Sequence, residues 1–271
     1  MQTDDRIQPI TRIIAVIVVP FLWLAFLILF FNPDSSGERF AWAIKPHMTA
    51  MYLAAGYLGG SWIFINAIFG KRWHRIAGGF LPITTFTWFM MIATFLHWDK
   101  FAHGRLGFNL WLILYVVTPF LVPILWNYNR KTDSGEPEAN DILISPTVLL
   151  ILKLISVGSL IYVLVGFINP EFVINTWPWT LSTLTARVMC GWIALLGVGA
   201  FTMSIEKRWS GWKTPLESIA IWHILVFVAA LMNPSDFKTE LVNWYTLAIG
   251  VMLVGIFIFY PMMEMRRRTA K

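Results

Sequence analysis

Residues 13–31 read IIAVIVVPFLWLAFLILFF, an uncharged run preceded by Arg12 and closed by Asn32-Pro33-Asp34. A helix rises about 1.5 Å per residue, so this run approaches the roughly 20 residues needed to cross a hydrocarbon core of about 30 Å. Inside lipid, where no water can satisfy the backbone, a helix bonds its own amides and carbonyls. The run is too long for the apolar segment of a cleaved leader, and Asn32-Pro33-Asp34 is no small-residue cleavage site. It reads as a first membrane span.

Seven more stretches repeat the pattern, at about 48–69, 76–96, 107–126, 146–168, 184–203, 216–232 and 241–263. The expected fold is therefore an all-α integral membrane protein with eight transmembrane helices. Composition agrees: the 271 residues are 57% hydrophobic and 13% charged, where a soluble domain has about a quarter charged. The net charge of +6 does not point to nucleic acid, because the basic residues flank the apolar stretches, where topology explains them. The lone Cys190 excludes an intramolecular disulfide and any paired-cysteine metal motif.

Fourteen basic residues fall on one side of these spans: Arg6, Arg12, Lys71, Arg72, Arg75, Arg130, Lys131, Lys207, Arg208, Lys213, Arg266, Arg267, Arg268 and Lys271. Five fall on the other: Arg39, Lys45, Lys100, Arg105 and Lys238. With short loops throughout, this bias places both termini in the cytoplasm. Lys153 and Arg187 lie within spans.

An internal repeat appears at an offset of 136 to 138 residues. Asn32-Pro33 falls on Asn169-Pro170, Thr49-Ala50 on Thr185-Ala186, Lys71-Arg72-Trp73 on Lys207-Arg208-Trp209, Phe101 on Phe237, and Pro123 on Pro261. Four spans per copy is an even number, so the copies share one orientation and form two parallel four-helix units, residues 1–126 and 146–271. The polar stretch 127–145 between them, NYNRKTDSGEPEANDILIS, reads as a cytoplasmic hinge.

His47, His97 and His103 gather with Asp99 near the outer face of the first half, a set that suits copper, zinc or haem and equally suits helix-end anchoring. His223, mid-span, is a candidate axial ligand or proton carrier, or a neutral partner for a neighbouring helix. Arg187 sits one turn inside the outer end of its span, where it binds an anion or snorkels; Lys153, two turns inside the fifth span, is a ligand or transport candidate whose default reading is snorkelling to the cytoplasmic face or pairing with a neighbour. Glu217 follows Thr214-Pro215-Leu216 and reads as part of a capping box. Trp62, Trp88, Trp192 and Trp222 lie within spans and are candidates to line a cavity for a flat apolar ligand, or to pack against neighbours. Gly56 and Gly60 form a GxxxG pair suited to close helix packing.

No Walker loop, dinucleotide fingerprint, HExxH or nucleophile elbow is present, which leans against an enzyme. The span layout resembles that of haem A synthases. Those proteins pair histidines in each half, whereas the second half here holds only His223, so no residue role carries over. The leading expectation is a non-catalytic membrane protein that binds an apolar ligand (lipid, quinone or pigment) or serves in a larger membrane assembly or homo-oligomer. The alternatives are a transporter using the interface between the repeats, through Arg187, His223 and Lys153, and a metal- or haem-binding redox protein.

Overall fold

The computed structural model describes residues 4–238 and 241–269, so Lys271 of the charge tally lies outside the described residues. In chain order the helices are α1 (Pro9–Phe31), the short α2 (Ser36–Arg39), α3 (His47–Phe69), α4 (His74–Leu96), α5 (Leu106–Asn129), α6 (Pro146–Ile168), the short α7 (Pro170–Thr176), α8 (Thr183–Ile205), α9 (Trp209–Met232) and α10 (Leu241–Thr269). Eight of the ten are long and apolar enough to cross a membrane, and among the described residues the only extended pairings are isolated bridges. The chain is an all-helical, multi-pass integral membrane protein.

The largest departure from expectation is at one boundary. The seventh span starts at Trp209 and not at Leu216, because its first two turns, Trp209 to Leu216, mix polar and aromatic residues that do not read as apolar run. Pro215 lies inside this helix, where its ring removes one backbone hydrogen bond. The capping-box reading of Glu217 is thereby overturned: Thr214 is already helical. The Glu217 carboxylate instead accepts from Trp62 Nε1 on α3 at 2.8 Å and Tyr260 Oη on α10 at 2.5 Å.

Packing divides the spans into an inner and an outer set. α3 packs on α1 and α9, α8 packs on α6 and α4, and α4 also meets α5 and α9, while α10 rests on α9. The most apolar stretches of α3 and α8 are each 61% buried, against 11% for α6 and 17% for α10. The outer helices thus present rows such as Ile161, Leu164 and Ile168 outward, which costs nothing in lipid. At the centre the Trp192 ring lies 4.3 Å from Phe86, 5.0 Å from Trp222 and 5.3 Å from Tyr57, centroid to centroid.

Three inner helices begin on a carboxylate supplied by a distant segment. Asp5 accepts from His74 N of α4, Asp141 from Ser210 N of α9, and Asp236 from Met48 N of α3. Each satisfies an amide that the first turn leaves open and places negative charge at the positive end of the helix dipole. α6 and α8 use their own serines, Ser145 and Ser182. The start of α1 and the end of α10 lie on one face, here the terminal face, where Trp209 Nε1 donates to Glu264 at 2.7 Å; the opposite face is called distal.

The stretch 127–145, expected to be a hinge, is tied down on the terminal face. Arg208, its side chain 8% exposed, makes a two-pronged pair with Asp133 at 2.8 and 2.9 Å and a second with Glu206. Glu138 pairs with Arg75 at 2.5 Å, and Leu143 bridges Arg208 backbone to backbone. Such bidentate guanidinium pairs, shielded from water, restrain a segment more than isolated surface pairs do. Burial pushes the Asp133 carboxyl up, but its bonds from Arg208 and the Gly135 amide outweigh that and hold it below its ordinary range. Glu138 ends low in the same way, with Arg75 outweighing burial.

Candidate ligand cleft and the polar nodes around it

α1 and α5 each pack against an inner neighbour, α1 on α3 and α5 on α4, and barely touch one another. Between them runs an apolar cleft with two widenings. The distal one, about 60 Å³, is walled by Leu22, Leu24 and Ile28 of α1, by Leu110, Trp111 and Leu114 of α5, and by Arg39 at its end. The mid-membrane one, about 70 Å³, is walled by Ile14, Val18, Leu22, Gly56, Gly60, Phe86, Leu114, Leu121, Leu125 and Trp192. By the same measure a water needs about 10–15 Å³, so the second widening has room for roughly five waters. Leu22, Tyr57, Leu114 and Tyr115 line both. α5 contributes a stripe from Gly107 to Leu125, about 27 Å at 1.5 Å per residue.

Polar groups on this cleft are few. Thr87 and Thr118 donate to carbonyls of their own helices, Thr84 and Leu114. Tyr57 and Tyr115 are 3% and 2% exposed, and their hydroxyls meet at 3.1 Å. Trp192 is buried with its indole Nε1 unpartnered.

The residues singled out from sequence fall in different places. Trp192 is on the cleft wall; Trp62 donates to Glu217; Trp222 is buried beside Trp192 and Tyr52; Trp88 faces outward, edge-on to Phe120. Of the glycine pair, Gly56 lies against the Trp192 ring, while a Cβ at Gly60 would meet nothing within 4 Å. The close approach of α3 to α9 falls on Gly59, where a Cβ would come within 2.7 Å of Trp222 and 2.8 Å of the Ser218 carbonyl. The packing role expected of Gly60 therefore passes to Gly59.

Arg187, His223 and Lys153 do not meet. Arg187 donates to His97 Nε2 at 2.7 Å and to the Phe167 carbonyl at 3.1 Å, joining α8 to the ends of α4 and α6. His223 Nδ1 donates to the Ile219 carbonyl of its own helix at 2.9 Å, and Lys153 stands exposed on α6. The outer-face histidines separate as well: His47 pairs with Asp34 at 2.7 Å, His103 bonds the Trp98 carbonyl at 2.8 Å, and Asp99 pairs with Lys100. Among the described residues, no three His, Cys, Asp or Glu side chains converge on a point suited to a metal ion. His47 and Asp34 instead line an open distal basin of about 680 Å³ with Lys45, Thr180, Ser182 and Asp236.

Two sites escaped sequence reading. On the terminal face, His74 Nδ1 lies 2.5 Å from Asp5 and its Nε2 lies 2.9 Å from Ser210 Oγ and 3.2 Å from Glu138, while the Ser210 hydroxyl donates to Asp141. The His74 side chain is 2% exposed and Ser210 is wholly buried, so this Asp–His–Ser chain offers no nucleophile to a substrate. A signal was available: His74 and Ser210 each follow the repeated Lys-Arg-Trp, and Asp5 and Asp141 stand at the same offset. For the Tyr57–Tyr115 pair no pattern in the sequence brings the two together.

A further cavity of about 60 Å³ lies among α3, α4, α8 and α9, walled by Gly60, Gly78, Gly79, Gly199, Pro82 and Pro215 among others. No family model, no curated protein and no solved structure matches this chain.

Proposed function

We propose that this chain is a non-catalytic membrane protein that holds an elongated apolar ligand in the cleft between α1 and α5. The observation that carries the proposal is the sparse α1–α5 contact, anchored at the terminal end by Asn129 and Thr11, along a stripe that both helices line with apolar side chains from one face toward the other. A gap between helices, open sideways to lipid, admits a chain-shaped molecule without passage through water. Arg39 at the distal end suits a polar or anionic head.

The same reading takes the eight spans as two parallel four-helix units, residues 1–126 and 146–271, joined by 127–145, with the terminal face in the cytoplasm by its excess of Lys and Arg. Several pairings support the duplication. The Arg6–Arg72 bridge corresponds to Leu143–Arg208, Asp5–His74 to Asp141–Ser210, α1 on α3 to α6 on α8, and α3 on α9 to α8 on α4. A second reading, transport along the interface of the units, is favoured by one observation: the cavity among the four inner helices is walled by both halves. Arg187, His223 and Lys153 do not line it.

The test is native mass spectrometry of the full chain taken from its own membrane in mild detergent, compared with Gly60→Leu. The new side chain enters space that is empty within 4 Å of its Cβ, so the fold should persist while the co-purifying mass falls at least about tenfold. A bare 31.1 kDa chain from the native membrane would overturn the reading, and undiminished ligand in Gly60→Leu would remove it from this cleft.

A further inference from the structure

Two phenolic hydroxyls facing one another carry two protons, and only one of them is consumed in the bond between them. Whichever of Tyr57 and Tyr115 accepts, its own O–H is left without an acceptor. Both rings are buried on the wall of the cleft, and the other hydroxyls there, Thr87 and Thr118, are satisfied by their own helices. One donor therefore borders an apolar cavity that supplies it no acceptor, and a buried donor left unpaired costs about 1–3 kcal/mol.

Depth narrows what can answer it. Tyr57 lies ten residues into α3 and Tyr115 nine residues into α5, so each is roughly 15 Å from its distal helix end, near the centre of a core of about 30 Å. A phospholipid lying in the cleft keeps its ester oxygens at the interface and offers only hydrocarbon at this level. We infer, resting on the cleft reading above, that the ligand carries carbonyl oxygen at mid-membrane depth: a quinone-type or keto-substituted ring on an apolar tail, held by the spare proton of the Tyr57–Tyr115 pair.

The experiment compares two probes of equal tail, a decyl-substituted benzoquinone and decylbenzene, binding to the full chain in detergent micelles. The wild type should hold the quinone about tenfold more tightly, the worth of one charge-neutral hydrogen bond in an apolar site. Tyr57→Phe and Tyr115→Phe alone should each keep the preference, because one hydroxyl remains to donate. The double variant should lose most of it while decylbenzene binds as before. Equal binding of both probes to the wild type would overturn the carbonyl inference and leave the apolar cleft standing. A preference that survives in the double variant would overturn the assignment to the tyrosine pair, and binding of neither probe would remove inference and cleft together.

Discussion

Residues 136 apart face one another at two levels of this molecule, and the two levels behave differently. On the terminal face Asp5 and Asp141 do the same work, each receiving an amide from the first turn of an inner helix. Their partners His74 and Ser210 differ and bond each other. At mid-membrane Gly56 stands opposite Trp192, and where the first half has Tyr57 and Tyr115 the second has Ile193 and Val251. The terminal face keeps one geometry with two chemistries, so it closes. The centre trades a hydrogen atom for an indole, so one half is filled by a side chain that the other half makes room for. A cleft with polar groups on its wall belongs to the first half alone.

The terminal-face match breaks most sharply with His74→Ser, which makes the two halves chemically alike. A serine retains a hydroxyl for Asp5 but cannot reach Ser210 and Glu138, so two buried groups lose a partner and a cavity the size of the imidazole remains. The expected loss of stability is about 3 kcal/mol, against about 1 kcal/mol for Ser210→Ala, which leaves His74 with Asp5 and Glu138. Thermal unfolding of both variants in detergent measures the ratio. Equal, small losses would mean that capping alone matters and that the bond between the halves carries nothing.

At mid-membrane the sharper probe is one methyl group at two glycines a turn apart. Gly56→Ala drives a Cβ into the Trp192 ring, which packs against Phe86 and Trp222. Overpacking of this kind costs about 1–3 kcal/mol. Gly60→Ala meets open space and gains helix propensity, so it should be neutral or stabilising by up to about 1 kcal/mol. If both variants melt alike, the Gly56–Trp192 contact is not what distinguishes the halves.

How much of this was legible follows from what kind of signal each feature leaves. Spans announce themselves through long apolar runs, and seven of the eight starts are close to the helices observed. The eighth was misjudged because the first turns of α9 are interfacial, and a hydroxyl, a proline and a glutamate in sequence imitate a cap when the true start lies upstream. Glu217 shows the consequence: its partners Trp62 and Tyr260 are 155 and 43 residues away, distances at which no local pattern operates. The His74–Ser210 node was legible in principle, since the repeat aligns its members, but only to a reader who treats unlike residues at equivalent positions as partners. The histidines of the distal face went the other way. Proximity in sequence suggested a shared site, and each found a nearer neighbour: a carboxylate, a carbonyl or a guanidinium.

The smallest effect concerns that last case and the joint it makes between the halves on the distal side. His97 accepts from Arg187 through Nε2, which a neutral imidazole can do and an imidazolium cannot. Burial first, then the charge of Arg187, holds the His97 pKa below its ordinary value. A histidine whose folded pKa is lowered takes up fewer protons folded than unfolded, so its stabilising contribution is complete above the unfolded value, near pH 6.5, and fades as pH falls through the folded one. The carboxylates of 127–145, held low in their turn, lose their contribution only in the range below about pH 4. Acidification from pH 7 to pH 5 should therefore lower the melting temperature slightly in the wild type and less in His97→Gln, whose amide oxygen can still accept from Arg187 without titrating. An equal decline in both proteins would show that the Arg187–His97 bond does not join the halves energetically.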